Sequence, residues 1–337
     1  LIEEVARIYG YDNLPSTLPT TTMTTGGLNE EQSLIRKSGK LLEGFGLTHA
    51  ISYALTTSDK AKMFMMDSSE ETDLSYPMSS DHTTLRMNLV SGLLDDIAYN
   101  QARKVENVAL YEQGRVFYKK DDKQVRPDEI EHIAGAISGS MNEVSWNQPE
   151  QKVDFYQIKG IVEEYLSTIG FDGQITYKAN SEYDEMHPGR TADVFVHGHY
   201  VGFVGQVHPK VAKEFKINDT YVFDLNLQTI IDLPKQEQSY ELVSKYPSIK
   251  RDIAMLIDKD IENDDIVDVI VKRGGAYLTD VKLFDLYEGE HVPDDKKSLA
   301  YSLTFQNKHD TLVDEDVNSA MEKVQRNLEK EFNVEIR

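Results

Sequence analysis

An aspartate and a tyrosine stand two residues apart in the segment Phe284-Asp285-Leu286-Tyr287. If this segment is a β-strand, Asp285 and Tyr287 share one face of the sheet, and Phe284 and Leu286 share the face towards the helices. Ser298, on the next predicted strand, can lie on the face of Asp285 and Tyr287. An exposed tyrosine can stack on an unpaired base, while a carboxylate and a hydroxyl bind the base edge. The same pattern also fits an ordinary strand with a half-exposed tyrosine.

The elements that must position these side chains occupy residues 244–337. We predict a strand over 251–258, a helix capped by Asn263 and ended by Gly274 and Gly275, and strands over 278–286 and 298–305. A helix from Asp314 and a short strand over 334–336 complete the order β-α-β-β-α-β. This order is that of the ferredoxin-like or split βαβ motif.

Several segments of this region resemble one family in the same order: YPSIKRD, LFDLYEGE, KKSLAYSLTFQ, TLVDEDVN and the last arginine. They resemble the anticodon-binding ferredoxin-fold module at the C-terminus of the bacterial phenylalanine–tRNA ligase beta-subunit family. The resemblance implies that Asp285, Tyr287 and Ser298 contact the anticodon bases, with Tyr287 stacking. It also implies that Arg251 lies near the RNA backbone or buttresses the first strand.

The charge of the chain argues against a protein that coats nucleic acid through electrostatics. The net charge is −22, and residues 240–337 hold 14 Lys and Arg against 22 Asp and Glu, which gives 14 − 22 = −8. Any RNA contact must therefore be local, through stacking worth about 1–3 kcal/mol per base. Zero cysteines exclude disulfides and thiolate metal sites. With no run of 18 apolar residues and no signal-peptide pattern at the start, we expect a cytoplasmic protein without a membrane span.

Residues 28–233 contain many predicted strands that follow one another without intervening helices, which favours an α+β domain with a mainly antiparallel sheet. One strand is predicted over 107–117, turning at Gly114, followed by a charged hairpin or loop over 119–131. The segments LRMNLVSGLL, ENVALYEQGRVF, HPGRTADVFV and GFVGQVHP resemble the catalytic-like module of the same family. The resemblance implies a class II synthetase antiparallel sheet with flanking helices.

Catalysis by this module would require arginines that neutralise the phosphates of ATP. Arg115 and Arg190 are the candidates, and both also fit as salt-bridging or turn residues. In the family the module is inactive and the alpha subunit holds the aminoacylation site and uses ATP. We therefore predict no catalytic residue in this chain.

Residues 1–17 resemble the end of the small winged-helix-like domain that precedes the synthetase module in the family. The resemblance implies that Glu3 and Glu4 help to hold a Mg²⁺ ion near the alpha subunit, although two adjacent carboxylates alone make a poor site. Residues 18–27 and 234–243 are predicted linkers, and 244–337 the anticodon-binding domain. We also expect that the chain is cut from a longer protein whose editing domain lies upstream.

These observations lead to one main hypothesis and two others. The chain is a non-catalytic portion of a phenylalanine–tRNA ligase beta subunit that scaffolds the alpha subunit, in an assembly of two alpha and two beta subunits, and binds the anticodon of tRNA(Phe). The alternative, favoured by the charge of −22, is a stand-alone silent scaffold or regulator that binds only protein. The third is an independent ATP-using enzyme.

Overall fold

The computed structural model describes residues 1–121, 123–142, 144–237, 239–290 and 292–337. Contacts between residues divide the chain into two compact units, Leu1–Gln236 and Glu237–Arg337. Residue 122 of the predicted charged loop and residue 238 of the predicted second linker lie outside the described residues.

The first unit mixes helices and strands. Its helices are α1 (Ile2–Tyr9), α2 (Glu30–Gly44), α3 (Ser58–Lys62), α4 (Val90–Gln101), α5 (Phe155–Leu166), α6 (Pro209–Phe215) and α7 (Leu227–Asp232). Its strands are β1 (Thr48–His49), β2 (Leu55–Thr56), β3 (Thr84–Leu85), β4 (Val108–Tyr118), β5 (Asp128–Ser138), β6 (Ile175–Ala179), β7 (Met186–Val196), β8 (His199–Val207) and β9 (Thr220–Asn226).

Seven strands of the described residues form the main sheet of this unit, in the order β1-β4-β5-β9-β8-β7-β6. The pair β1–β4 is parallel, and the other neighbouring pairs are antiparallel. The prediction of a mainly antiparallel sheet with flanking helices is therefore confirmed.

Apolar side chains cover both faces of this sheet. Along β9, Tyr221 and Phe223 belong to one buried cluster and Val222 belongs to the other, as the period of two requires. The first cluster includes buried residues of α2, α5 and α7, and the second includes those of α4 and α6. The sheet is thus the middle layer of the unit.

Local signals in the sequence explain some element ends and miss others. Asn29 and Gln32 have the residue types and the spacing of a capping box, and the box is present at the start of α2. Gln32 N donates to Asn29 Oδ1 at 2.7 Å, and Asn29 N donates to Gln32 Oε1 at 3.2 Å. The predicted turn at Gly114 is wrong, since β4 continues through it and Gly114 pairs with His132. A Cβ at Gly114 would lie 2.5 Å from the Arg86 guanidinium, so the glycine makes room for that side chain.

Gly202 on β8 marks a second close approach. Its φ is +151°, and a Cβ there would collide with the backbone carbonyl oxygen of Asp224 on the neighbouring β9. Gly202 pairs with Leu225 in the ladder, so the two backbones are fixed at this point. A side chain at Gly202 therefore has no space.

The second unit contains the predicted motif. Its elements are β10 (Ile249–Asp258), α8 (Asn263–Arg273), β11 (Leu278–Tyr287), β12 (Lys296–Phe305), α9 (Asp314–Phe332) and β13 (Glu335–Ile336). The sheet order is β11-β12-β10-β13, which confirms the ferredoxin-like βαββαβ arrangement. Both helices pack on one face, where their apolar residues share a buried cluster with alternate residues of β10 and β12.

One helix end in this unit differs from the prediction. Asn263 is the first residue of α8 rather than its cap, and Glu262 occupies the capping position without a side-chain hydrogen bond. The Asn263 Oδ1 atom instead accepts a hydrogen bond from the hydroxyl of buried Tyr301 at 2.9 Å. A buried hydroxyl needs a partner, and this need determines the role of Asn263.

Candidate nucleic-acid interface

The face of the second sheet away from the helices brings Tyr287 and Ser298 together. Tyr287 on β11 pairs directly with Ser298 on β12, and Asp285 pairs with Ala300. Directly opposite residues of an antiparallel pair share a face. The neighbouring positions on β12, Tyr301 and Leu299, are buried under the helices. Three of the four residues predicted to bind RNA therefore lie on the uncovered face.

Tyr287 is 47% exposed, and its side chain is held by the loop that follows β11. Its hydroxyl donates a hydrogen bond to the backbone carbonyl of Glu290 at 3.1 Å. Gly289 lies against the same ring. The side chain is thus accessible and also has a fixed anchor.

Asp285 and Ser298 offer polar groups beside this ring. Asp285 is exposed and Ser298 is half-buried. Within the described ranges, neither side chain has a hydrogen-bond or ion-pair partner. A carboxylate accepts from base N–H groups, and a hydroxyl both donates and accepts. These groups can therefore contact a base edge without first breaking an internal bond.

A β-bulge corrects the predicted faces of β11. The register shifts between Leu283, opposite Tyr301, and Asp285, opposite Ala300, so that Phe284 is an extra residue. Phe284 is 54% exposed and does not join the buried cluster, so its predicted position against the helices is wrong. Leu283 packs there instead. A bulge of this kind has no signature in the alternating sequence pattern.

Arg251 lies apart from the other three residues. It pairs with Leu303, which is fully buried under the helices, so Arg251 is on the helical side of β10. Its guanidinium forms an ion pair with Asp314, the first residue of α9, at 2.7 Å. This position joins the first strand to the second helix of the motif.

Glu3 and Glu4 have no third metal-ligating side chain beside them within the described part of the chain. Both are exposed on α1, and the Glu4 carboxylate is bound by the Arg7 guanidinium at 2.7 Å. No group of three or more metal-ligating side chains is present among the described residues. Two adjacent carboxylates, one of them already paired, lack the ligand number that Mg²⁺ requires.

Arg115 and Arg190 are both engaged by other side chains of the first unit. Arg115 forms ion pairs with Glu129 at 2.6 Å and Glu131 at 2.8 Å, which raise its pKa. Arg190 donates to Gln206 at 2.7 Å. Each arginine therefore has a structural role in the sheet.

Sequence reasoning missed two buried polar pairs of this unit. Arg86 donates to Glu112 at 2.6 Å, and the His132 and Asp224 side chains lie 2.8 Å apart in the interior. Because 92 residues separate His132 from Asp224, no local motif announces the second pair. A polar residue at a core position of a strand pattern was the available signal.

No helix in the described part of the chain combines the length and apolarity that a bilayer demands.

Comparison with known proteins matches both units. The family described as "Phenylalanyl tRNA synthetase beta chain CLM domain" matches residues 14–227, and "Ferredoxin-fold anticodon binding domain" matches residues 244–337. A pyrrolysyl tRNA synthetase structure from Desulfitobacterium hafniense aligns with 59% of this chain and 66% of its own, at a TM-score of 0.40 and 12% identity. That likeness is too weak to support an argument.

Curated relatives match the whole length of this chain. The phenylalanine–tRNA ligase beta subunit of Lactiplantibacillus plantarum is 59% identical over 337 residues, that of Latilactobacillus sakei is 49% identical over 338, and that of Bacillus subtilis is 44% identical over 337. Each match covers 100% of this chain and 42% of the relative. The chain thus spans less than half the length of these relatives, and it belongs to the phenylalanyl-tRNA synthetase beta-chain family.

Proposed function

We propose that this chain is a non-catalytic portion of a phenylalanine–tRNA ligase beta subunit that binds the anticodon of tRNA(Phe). The observation that carries the proposal is the group formed by Tyr287, Asp285 and Ser298 on the uncovered face of the second sheet. The ring supplies a stacking surface, and the two side chains without internal partners supply hydrogen bonds to a base edge.

Arg251 has a different role in this proposal. Its ion pair with Asp314 and its place on the helical side favour the second of its two predicted roles, as a buttress of the first strand. It stabilises the sheet on which the base-contacting residues stand, and it does not contact the RNA backbone.

We assign residues 28–233 to a class II synthetase-like module without catalysis, flanked by linkers at 18–27 and 234–243. The proposal is supported by the antiparallel sheet, by the apolar clusters on both of its faces, and by the engaged side chains of Arg115 and Arg190. Residues 1–17 would be the tail of a preceding domain, and 244–337 the anticodon-binding domain.

The partners follow from the same assignment. A catalytic alpha subunit, in an assembly of two alpha and two beta subunits, would use ATP and Mg²⁺ to form phenylalanyl-tRNA. Glu3 and Glu4 would contribute to a Mg²⁺ site only with ligands from outside this chain. We assign the cytoplasm as the location because tRNA charging for protein synthesis takes place there.

The test is Tyr287→Ala in the assembled synthetase. Loss of one stacked base weakens tRNA binding by about 1–3 kcal/mol, a factor of about 5 to 150. Phenylalanine-dependent pyrophosphate exchange, which needs no tRNA, should be unchanged. Steady-state charging at varied tRNA concentration and pyrophosphate exchange measure the two effects.

Tyr240→Ala is the matched control, because Tyr240 is 86% exposed and its side chain has no hydrogen bond or ring contact among the described residues. Charging by this variant should equal that of the wild type. Equal losses of charging and exchange in Tyr287→Ala would contradict the proposal, as would wild-type tRNA affinity.

A further inference from the structure

Gly289 lies against one face of the Tyr287 ring. A Cβ built on Gly289 would be 2.8 Å from Oη, 2.9 Å from Cζ and 3.4 Å from Cε2 of Tyr287. If the Cβ lay in the plane of the ring on the side of Cε2, at the same distances from Oη and Cζ, its distance to Cε2 would be much shorter than 3.4 Å. The three distances therefore place the Cβ above the ring plane, over the Cζ–Oη bond.

The glycine is required here by space and not by backbone conformation. Gly289 is not among the described glycines with positive φ. An alanine can therefore adopt the backbone conformation, but its methyl group would lie closer to the ring than van der Waals contact allows. Since Cζ and Oη are at the far end of the side chain, the ring would move away.

The next residue fixes the same ring at its hydroxyl. The backbone carbonyl of Glu290 accepts the hydrogen bond of Tyr287 Oη at 3.1 Å. Two consecutive residues thus hold the ring, one against its face and one at its edge. A stacking side chain that is fixed before binding loses less conformational freedom when the ligand binds.

We propose that Gly289 is a positioning residue that holds one face of the Tyr287 ring and leaves the opposite face for a single unpaired base. This inference rests on the proposed function, because it assigns how the same site presents its stacking surface. It adds that the ring stacks with one base on one side, and that residue 289 determines its orientation.

The experiment is a double-mutant cycle in the assembled synthetase with Gly289→Ala, Tyr287→Ala and the double variant. The readouts are KM for tRNA(Phe) and the rate of phenylalanine-dependent pyrophosphate exchange. Tyr287→Ala should raise KM by about 5- to 150-fold and Gly289→Ala by about 3- to 30-fold, both with unchanged exchange. The double variant should equal Tyr287→Ala alone, since residue 289 acts only through the ring.

Two further variants separate positioning from general damage. Gly160→Ala, on helix α5, places its methyl in open space and should leave KM unchanged. Tyr287→Phe keeps the ring but removes the bond to Glu290, and should raise KM by about 2- to 10-fold. It provides the second test of a preset ring if Gly289→Ala does not fold.

The outcomes distinguish the two claims. Wild-type KM in Tyr287→Ala would overturn the proposed function. A raised KM in Tyr287→Ala, together with wild-type KM in Gly289→Ala or additive losses in the double variant, would overturn the positioning role alone. Wild-type KM in Tyr287→Phe would overturn the hydroxyl anchor and with it the preset ring.

Discussion

Asp96 on α4 is a carboxyl group that the fold holds partly out of water. Burial raises its pKa above the ordinary value of 3.8, and the nearby charges of Glu112 and Asp95 raise it further. The Ser52 hydroxyl, which donates to Asp96 at 3.5 Å, opposes this effect. The charged form is therefore disfavoured in the folded state.

We expect Asp96→Asn to stabilise the protein at neutral pH. With a raised pKa, the folded state binds more protons than the unfolded state above pH 3.8, so stability falls as pH rises through this window. Asparagine has no charge and avoids this loss. Urea unfolding should show a higher midpoint than wild type at about pH 7 and a smaller difference at about pH 4.5.

Asp95→Asn is the matched control. The Asp95 carboxylate is paired with Lys60 Nζ at 2.6 Å. Loss of this pair opposes the relief of repulsion that the substitution gives to Asp96, so the gain at neutral pH should be smaller than in Asp96→Asn. An equal gain in both variants would mean that the general negative charge of the chain is responsible. No gain in Asp96→Asn would contradict the role assigned to its burial.

The role of a single residue could be predicted when its partner lies close to it in the sequence. Tyr287 and Ser298 were predicted to share a face because they lie on consecutive strands with a period of two. The ion pair of Arg251 with Asp314 joins residues 63 apart, and sequence reasoning left its role open. Gly289 was visible only as a loop residue, because its contact with the ring needs three-dimensional geometry.

At the scale of elements, strand pairing limits which residues a strand accepts. Gly202 on β8 faces the Asp224 carbonyl oxygen of β9 at a point where the two ladders fix both backbones. Gly160 on α5 has open space at the position of its Cβ. The same substitution should therefore have opposite effects in the two elements.

We expect Gly202→Ala to destabilise the first unit by about 3 kcal/mol or more, because a positive φ and a backbone collision act together. Gly160→Ala should stabilise it by about 0.5–1 kcal/mol, since alanine favours a helix interior. Chemical unfolding followed by circular dichroism measures both. Similar effects of the two substitutions would contradict the strand geometry described for β8 and β9.

The elements themselves were predictable wherever a period or a cap was clear. In α9, Val317, Met321 and Val324 recur at helical spacing in the sequence, and all three are buried. Helix α7 was missed, because its six residues follow β9 directly and its cap, Asn226, is the last residue of that strand. The bulge at Phe284 was also missed. A single inserted residue reverses which face of the sheet the following side chains occupy, and it leaves no mark in the amino-acid composition of the strand.

At the scale of the whole molecule, the charge of −22 determines how RNA binding depends on salt. Phosphate contacts release counterions and make affinity fall steeply with salt, whereas stacking does not. Because residues 240–337 contain 22 acidic and 14 basic residues in total, the proposed site has little electrostatic attraction for RNA.

We therefore expect the contribution of Tyr287 to be independent of salt. Between about 50 mM and about 200 mM salt, the tRNA affinity of the assembled synthetase should fall. The ratio between wild type and Tyr287→Ala should stay constant within about twofold, because no counterion is released at the ring. Filter binding or fluorescence anisotropy gives both values. A ratio that shrinks with salt would indicate that the side chain orients a phosphate contact instead.

The elements of the second unit and their order could be predicted almost completely from the sequence. For the first unit, only the fold class could be predicted. In the ferredoxin-like motif, consecutive elements follow a known order, so the strand order follows from the sequence of elements. In the seven-stranded sheet, β9 lies between β5 and β8. In the chain, helices α5 and α6 and strands β6, β7 and β8 come between β5 and β9. Such long-range pairing has no local pattern from which to derive it.

Strand β11 is the outer strand of its sheet, and its register is irregular at two places, between Leu278 and Asp280 and between Leu283 and Asp285. A regular outer strand offers a template onto which a second chain can add, and this leads to aggregation. The irregularities interrupt that template along the strand that ends at Tyr287. The bulge that exposes Phe284 therefore also makes this edge a poorer template for the addition of a second chain.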